Sequence, residues 1–218
     1  HGPLNTPIEG TDKTFGDLLY NAASDADDVL YPNNTGYGFT WVVPSHEGAK
    51  EYIDGFFKHY KNMGVDFIRM DFLCLFESGF FAEDMTPGGK GYGRENYTLA
   101  MEYIYEAANK YRIFTSMVMP NLYDNAMLEQ KYGNMIRIVA DVFSGGWEHL
   151  SDRNRGTIVN GWPNAHNQFD GFVHWSPIGG RGKVILDGDF IRLNTFSTNN
   201  EKEFSISLQY FSIHLHCF

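Results

Sequence analysis

Segments with the periodicity of β-strands and of α-helices alternate along the chain from about residue 37 nearly to its end. The predicted strands are residues 37–43, 65–73, 112–119, 135–141 and 183–189. Strands separated by helices favour a parallel sheet, because a crossover between parallel neighbours needs about a dozen residues or more. We therefore predict an α/β fold. The succession of strand and helix units fits a (β/α)8 TIM barrel better than a doubly wound sheet, which is the alternative.

The intervals between these strands show helical spacing, with apolar residues at steps of three and four along one face. The apolar positions of the predicted helices fall within residues 49–63, 100–111, 125–132 and 200–212, and one helical turn is predicted near Leu150. Ser45 is predicted to cap the first helix at its N-terminus and Gly64 to close it. The rest of the aromatic, Gly-rich stretch 142–182 is predicted to be an elaborated loop. No repeat or linker interrupts residues 1–218, which predicts one domain.

Charge and hydropathy exclude two classes of partner. The chain has 17 Lys and Arg against 27 Asp and Glu, which gives a net charge of −10. This charge repels polyanions, so no nucleic-acid partner is predicted. No apolar run approaches the length of a membrane span, so no membrane partner is predicted. Aromatic residues make up 16% of the chain, and together with abundant Asn, Gly and Asp they favour a sugar-binding protein.

No metal site and no cofactor are predicted. His214 and His216 have the spacing of neighbours on one strand face, but the sequence offers no third ligand beside them. Cys74 and Cys217 lie far apart and form neither a metal-binding motif nor a redox pair. The cysteines therefore leave the redox compartment open.

Carboxylates stand at the ends of three predicted strands. They are Asp71, Asp141, Asp187 and Asp189. Because side chains alternate along a strand, Arg69 shares a face with Asp71, and Arg137 shares a face with Asp141. One Asp at a strand end is ordinarily a turn residue. Three such ends, two of them with an Arg on the same face, predict an active site at the C-terminal edge of the sheet, where barrel enzymes place it.

Paired carboxylates in one cleft are what the hydrolysis of a glycosidic bond requires. One attacks the anomeric carbon, while the other protonates the leaving oxygen and then activates a water molecule. A neighbouring Arg holds a carboxylate ionised or binds a sugar hydroxyl. Aromatic rings pack on the apolar face of a sugar, and the tryptophan candidates for this role are Trp41, Trp147, Trp162 and Trp175. For each of them, packing in the core is the alternative.

Two of these segments resemble motifs of a known family. Residues 64–71, Gly-Val-Asp-Phe-Ile-Arg-Met-Asp, resemble the fourth-strand motif of the α-galactosidase superfamily of retaining glycoside hydrolases (clan D), which ends in the nucleophile. Residues 134–141, followed by Trp147, resemble the sixth-strand motif Asn-Met-x-Arg-x-x-x-Asp. The resemblance implies that Asp71 is the nucleophile, that Asp141 is the general acid/base and that Arg137 contacts the substrate.

Two weaker matches extend the resemblance along the chain. Residues 187–191 are similar to a seventh-strand Asp-Pro-Asp motif, and residues 5–10 are similar to the loop after strand two in bacterial members. The chain departs from the pattern at Arg69, where the family has Lys, and at Gly188, where it has Pro. The substrate-binding residues inferred from the motifs and their surroundings are Arg69, Arg137, Trp41, Trp147, Asp187 and Asp189.

The resemblance implies a retaining glycosidase that releases terminal α-galactosyl-type residues from an oligosaccharide or polysaccharide by double displacement. Residues 1–218 would then be a partial catalytic barrel domain with about strands three to seven, in a secreted or periplasmic protein. Specificity for α-N-acetylgalactosaminides or β-L-arabinopyranosides stays open, because the selectivity residues of strand two are not found in the chain. The alternative function is a non-catalytic carbohydrate-binding remnant, or a truncated fragment, of such an enzyme.

Overall fold

A computed structural model describes residues 4–19, 42–78, 92–142, 145–151, 162, 165–180 and 182–214. The chain forms two compact units. The first unit comprises His1–Ile68 and Cys74–Phe114, and the second comprises Arg69–Leu73 and Thr115–Phe218.

Helices and strands alternate through the described residues. The strands are β1 (Phe67–Met70), β2 (Phe114–Met117), β3 (Met135–Arg137) and β4 (Ile185–Asp187). The helices are α1 (Ala49–Asn62), α2 (Leu73–Ser78), α3 (Gly93–Tyr111), α4 (Tyr123–Tyr132), α5 (Trp147–Leu150), α6 (Gln168–Trp175) and α7 (Asn199–His214). Short 3-10 turns lie at Phe15–Leu18, Ser176–Ile178 and Leu193–Thr195.

The four described strands form one sheet in the order β1-β2-β3-β4. Strand β3 is parallel to both neighbours: Met135 pairs with Ser116 of β2 and with Ile185 of β4. The backbone amide of Val118 donates to the carbonyl of Met70, which joins the ends of β2 and β1 at 2.8 Å. Since strands in chain order lie side by side with helices between them, the predicted parallel α/β arrangement is confirmed.

The strands are shorter than predicted, because the backbone turns abruptly just beyond three of them. Phe72, Met119 and Asp189, each two residues past a strand, have φ values of 60°, 53° and 67°. A side chain with a Cβ seldom adopts this left-handed region, and such a residue cannot continue a strand. After β1 the chain enters helix α2 at once, so the prediction of one strand over residues 65–73 was too long.

The first unit is built on the packing of α1 against α3. Its core cluster comprises Phe57, Ala107, Ala108 and Ile113, with Ile53, Ile68, Ile104 and Tyr111 packed against it. Helix α1 begins after Gly48 rather than at Ser45, because Gly48 takes a φ of 93°. The Ser45 amide instead donates to Asn96 Oδ1. Gly64, with a φ of 86°, follows the C-terminal end of α1 as predicted.

The second unit packs its helices on the sheet through one large apolar cluster. Its buried members are Leu122, Ala126, Ile136, Ile138, Val139, Ala165, Phe172, Trp175, Ile178, Val184 and Leu186. Helix α6 supplies Phe172 and Trp175, so the prediction that residues 142–182 form a loop with one helical turn was wrong here. Asn167 caps α6, since its Oδ1 accepts from the Asp170 amide at 2.8 Å. At eight residues, α6 is too short for periodicity to reveal it.

The predicted strand 37–43 lies outside the described residues except at its last two positions. Val42 forms an isolated antiparallel bridge with Leu19. No helix within the described part of the chain is long and apolar enough to cross a membrane.

Candidate active site

Five of the predicted site residues meet in one ion-pair network in the second unit. Arg137 Nη2 lies 2.7 Å from Asp141 Oδ1 and 2.9 Å from Asp189 Oδ2. Arg69 Nη1 donates to Asp187 Oδ2 at 3.2 Å, and its Nη2 lies 3.9 Å from Asp189 Oδ1. The network therefore joins residues at the ends of β1, β3 and β4, which are far apart in sequence.

Burial divides the network into an inner and an outer part. The side chains of Arg137 and Asp189 are each 4% exposed, and that of Asp187 is 7% exposed. Asp141 is 46% exposed and Arg69 39% exposed. Buried charges require partners of opposite sign. Arg137 and Asp189 provide them for each other, and the partner of Asp187 is the outer Arg69. The two outer side chains are the ones that a ligand can reach.

A short turn after β4 explains why Asp189 lies at the centre of the network. The Asp189 amide donates to Asp187 Oδ1 at 2.8 Å, which stabilises the left-handed turn. Asp189 Oδ2 then accepts from the Val142 amide at 2.7 Å, directly after Asp141. One carboxylate thus fixes the backbone beyond β3 and contacts Arg137, which restricts where Asp141 can lie.

Gly188 departs from the resembled Asp-Pro-Asp motif for a packing reason. A Cβ at this position would lie 2.5 and 2.6 Å from two ring carbons of Phe172. Real Cβ contacts are not this short, so any side chain here would force the Phe172 ring out of the core. The close approach of α6 to this turn therefore requires glycine.

Asp71, the predicted nucleophile, lies just beyond β1 and is exposed. Its Oδ1 accepts from the Phe72 amide at 2.7 Å, and no other hydrogen bond or ion pair of this carboxylate is formed among the described residues. Arg69, two residues earlier, points into the network. The structure thus leaves the Asp71 carboxylate available to a ligand, while its backbone is fixed by the turn at Phe72.

The four tryptophans have different environments. Trp147 begins α5, is 41% exposed, and packs edge-on against Phe204 with the ring centroids 5.6 Å apart. Trp162 is buried, and the Arg137 guanidinium lies 5.5 Å from its ring centroid. Trp175 is 1% exposed in the core. Of the two predicted for substrate binding, Trp147 is accessible and Trp41 lies outside the described residues.

Two buried polar residues support the site and were missed by the sequence analysis. Asn121, four residues beyond β2, accepts through its Oδ1 from the Trp162 amide at 3.1 Å. Gln168 Nε2 donates to the carbonyls of Gly188 and Phe190 at 2.5 and 3.4 Å. Asn121 could have been found from the sequence, because it is a polar residue just beyond a predicted strand. Nothing marked Gln168, because its helix was predicted to be a loop.

No group of three or more His, Cys, Asp or Glu side chains in the described ranges is arranged to hold a metal ion. His214 is described only in its backbone, and His216 lies outside the described residues.

No family model matches the chain. It is 39% identical over 168 residues to the isomalto-dextranase of Arthrobacter globiformis, an alignment that covers 77% of this chain and 26% of that protein. The structure of the Arthrobacter globiformis T6 isomalto-dextranase complexed with panose matches with a TM-score of 0.80 and 34% identity. This match covers 93% of the chain and 33% of the solved one. The chain thus spans between a quarter and a third of the length of these relatives.

These similarities confirm the predicted fold class: the parallel strands and their helices are part of an α/β TIM barrel. They support a glycoside hydrolase family, which is coarser than the α-galactosidase superfamily that the motifs resemble. Membership of that superfamily stays a prediction. In sequence and in fold, the chain is similar to an isomalto-dextranase, which is a glycoside hydrolase.

Proposed function

We propose that the chain carries the catalytic residues of a glycoside hydrolase acting on α-glucosyl linkages of an oligosaccharide or polysaccharide. The observation that carries this proposal is the match of 93% of the chain to an isomalto-dextranase structure that contains panose. The exposed carboxylates of Asp71 and Asp141 beyond strands β1 and β3 supply the chemical groups. A secreted or periplasmic location is part of the same proposal, and fractionation of the source cells tests it.

The mechanism that we propose is retention by double displacement. Asp71 attacks the anomeric carbon as the glycosidic bond breaks, and Asp141 gives its proton to the leaving oxygen. In the second step Asp141 takes a proton from water, whose oxygen displaces Asp71 from the sugar. The turn at Asp189 supports this role of Asp141, because the hydrogen bond from the Val142 amide fixes the backbone directly after Asp141.

The other network residues divide between contact and positioning. Arg69 is partly exposed, so its guanidinium can donate to a sugar hydroxyl. Asp187 and Asp189 are buried and bonded to arginines, which favours a positioning role over the direct substrate contact implied by the resemblance. Trp147 offers an exposed ring for packing on a sugar.

Asp71→Ala in the protein expressed from its complete gene tests the nucleophile. We expect kcat on dextran and panose to fall about 10⁴-fold or more, since the covalent intermediate can no longer form. Azide should restore part of the activity on an aryl glycoside and yield a glycosyl azide. The matched control is Asp66→Ala, an exposed carboxylate just before β1, which should retain activity. Full activity of the Asp71 variant would exclude the assignment.

Asp141→Ala separates the acid from the base role. With an activated aryl glycoside the leaving group needs no proton, so the loss should be smaller than on dextran. Equal losses on both substrates in the first step would argue against Asp141 as the acid.

The release of α-galactosyl residues is the second candidate activity, and the motifs at residues 64–71 and 134–141 favour it. A comparison of kcat/KM for aryl α-glucosides and aryl α-galactosides decides between the two sugars. Sugar binding without turnover of either substrate would instead support the binding remnant.

A further inference from the structure

Residues of helix α1 line two adjoining cavities in the first unit. They share Glu9, Glu51 and Gly55 in their walls, and have volumes of about 700 and 420 Å³. Both volumes fall in the range of small-molecule binding sites. We call these cavities together the α1 groove. None of the predicted catalytic or substrate-binding residues lines it.

One end of the α1 groove is aromatic. Phe56, 39% exposed, has its ring centroid 4.7 Å from that of Tyr60, and Phe15 and Tyr52 form a second pair at 5.1 Å. Aromatic rings with an exposed face bind the apolar face of a sugar ring through dispersion and burial of C–H groups. The polar groups needed to bind hydroxyls must then come from the rest of the groove.

The other end is polar and balanced in charge. Its ionic side chains are Glu9, Glu51, Asp54, Lys50, Lys58 and Lys110. Lys110 donates to both oxygens of Asp54 at 2.7 and 2.9 Å, and Lys58 lies 3.2 Å from Glu9. Three carboxylates against three ammonium groups favour a neutral ligand over an ion. The Glu51 carboxylate has no partner within the described ranges, so it can accept hydrogen bonds from hydroxyl groups.

Gly55 lies in the middle of α1 and in the walls of both cavities. Glycine is a poor helix former, and neither packing nor backbone conformation requires it here. A Cβ at this position would meet nothing within 4 Å, and Gly55 does not have a left-handed φ. The missing side chain keeps the middle of the groove open at a cost to helix stability.

We propose that the α1 groove is a second carbohydrate site, which binds a neutral oligosaccharide without cleaving it. Phe56 and Tyr60 would pack against a sugar ring, Glu51 would accept from its hydroxyls, and Gly55 would let the sugar chain cross the helix. The proposal depends on the proposed function only in the choice of glucan probes.

Calorimetry with panose and isomaltotriose, together with NMR of backbone amides in α1, tests the proposal on the protein expressed from its complete gene. Phe56→Ala should weaken binding at the groove about tenfold. Gly55→Ala should weaken it as well, while raising Tm by about 2–4 °C. Tyr105→Ala, which removes an exposed ring from α3 of the same unit, is the matched control and should leave affinity unchanged.

The Gly55 variant distinguishes loss of the binding site from loss of folding. It should be more stable than the wild type and should still bind the probes more weakly. No shift of α1 amides with either probe, or unchanged affinity of both groove variants, would overturn the proposal. Hydrolysis of a short aryl glycoside is measured separately on the protein from its complete gene, and the groove variants should leave it unchanged. Loss of that hydrolysis in the groove variants would also contradict the proposal that the groove is separate from the catalytic site. Absence of hydrolysis in the wild type would count only against the proposed function.

Discussion

Replacement of Asp189 by alanine removes the carboxylate at the centre of the ion-pair network. Its Oδ2 lies 2.9 Å from Arg137 Nη2 and accepts from the Val142 amide at 2.7 Å. Arg137 and Asp189 are both 4% exposed, so solvent cannot replace either contact. Among the described residues, the variant leaves the buried guanidinium with one ion-pair partner, the half-exposed Asp141, and it leaves the Val142 amide without its acceptor.

Loss of one partner from a buried ion pair costs about 3–5 kcal/mol. Loss of the acceptor of the buried Val142 amide costs about 1–3 kcal/mol by itself. The two costs overlap. We expect the lower end of the first range, about 3 kcal/mol, because Arg137 keeps its 2.7 Å contact with Asp141. For a chain of this size that corresponds to a fall in Tm of roughly 6–12 °C.

Urea unfolding followed by tryptophan fluorescence measures the difference in the free energy of unfolding. Asp189→Asn keeps an oxygen for the Val142 amide and should lose less than the alanine variant. Glu9→Ala removes a carboxylate that is 84% exposed and paired with Lys58, and it should cost less than about 1 kcal/mol. If Asp189→Ala is no more destabilising than Glu9→Ala, the buried network does not stabilise this unit and the argument is refuted.

Two further predictions concern packing and pH. Gly188→Ala should destabilise the chain by about 1–3 kcal/mol, because the new methyl group overlaps the Phe172 ring. Thermal unfolding measures this loss, and an unchanged Tm would contradict the close packing of Phe172 on Gly188. Partial burial raises the pKa of Asp54, but hydrogen bonds from Lys110 and Tyr111 outweigh it and lower that pKa overall. Asp54 therefore stabilises the fold above the ordinary carboxyl pKa of about 4, and this contribution is lost as pH falls through the lowered value. The stability difference between wild type and Asp54→Asn should shrink over that acid range, and a constant difference would contradict it.

The periodicity of apolar residues was sufficient to predict the longer helices from the sequence. Helices α1 and α3 carry apolar residues at helical spacing over 14 and 19 residues, and each packs that face in the core. Helices α2 and α6 have 6 and 8 residues, too few for a periodic pattern, and they form because neighbouring groups bury their side chains. The N-terminal end of α1 was misplaced, because the conformation of Gly48 decides it and not the side chain of Ser45.

The candidate site shows the same division between sequence and structure. The chain by itself determined which strands end in carboxylates and that Arg69 and Arg137 accompany them, since alternation along a strand is a local property. Only the tertiary structure decided which of these charges are buried together. Arg69 meets Asp187 across 118 residues, a contact that depends on the parallel order of the strands, and the turn at Asp189 lies at the centre because its side chain joins two strand ends. Long-range pairing and burial depend on how elements pack, and no pattern within one segment records them.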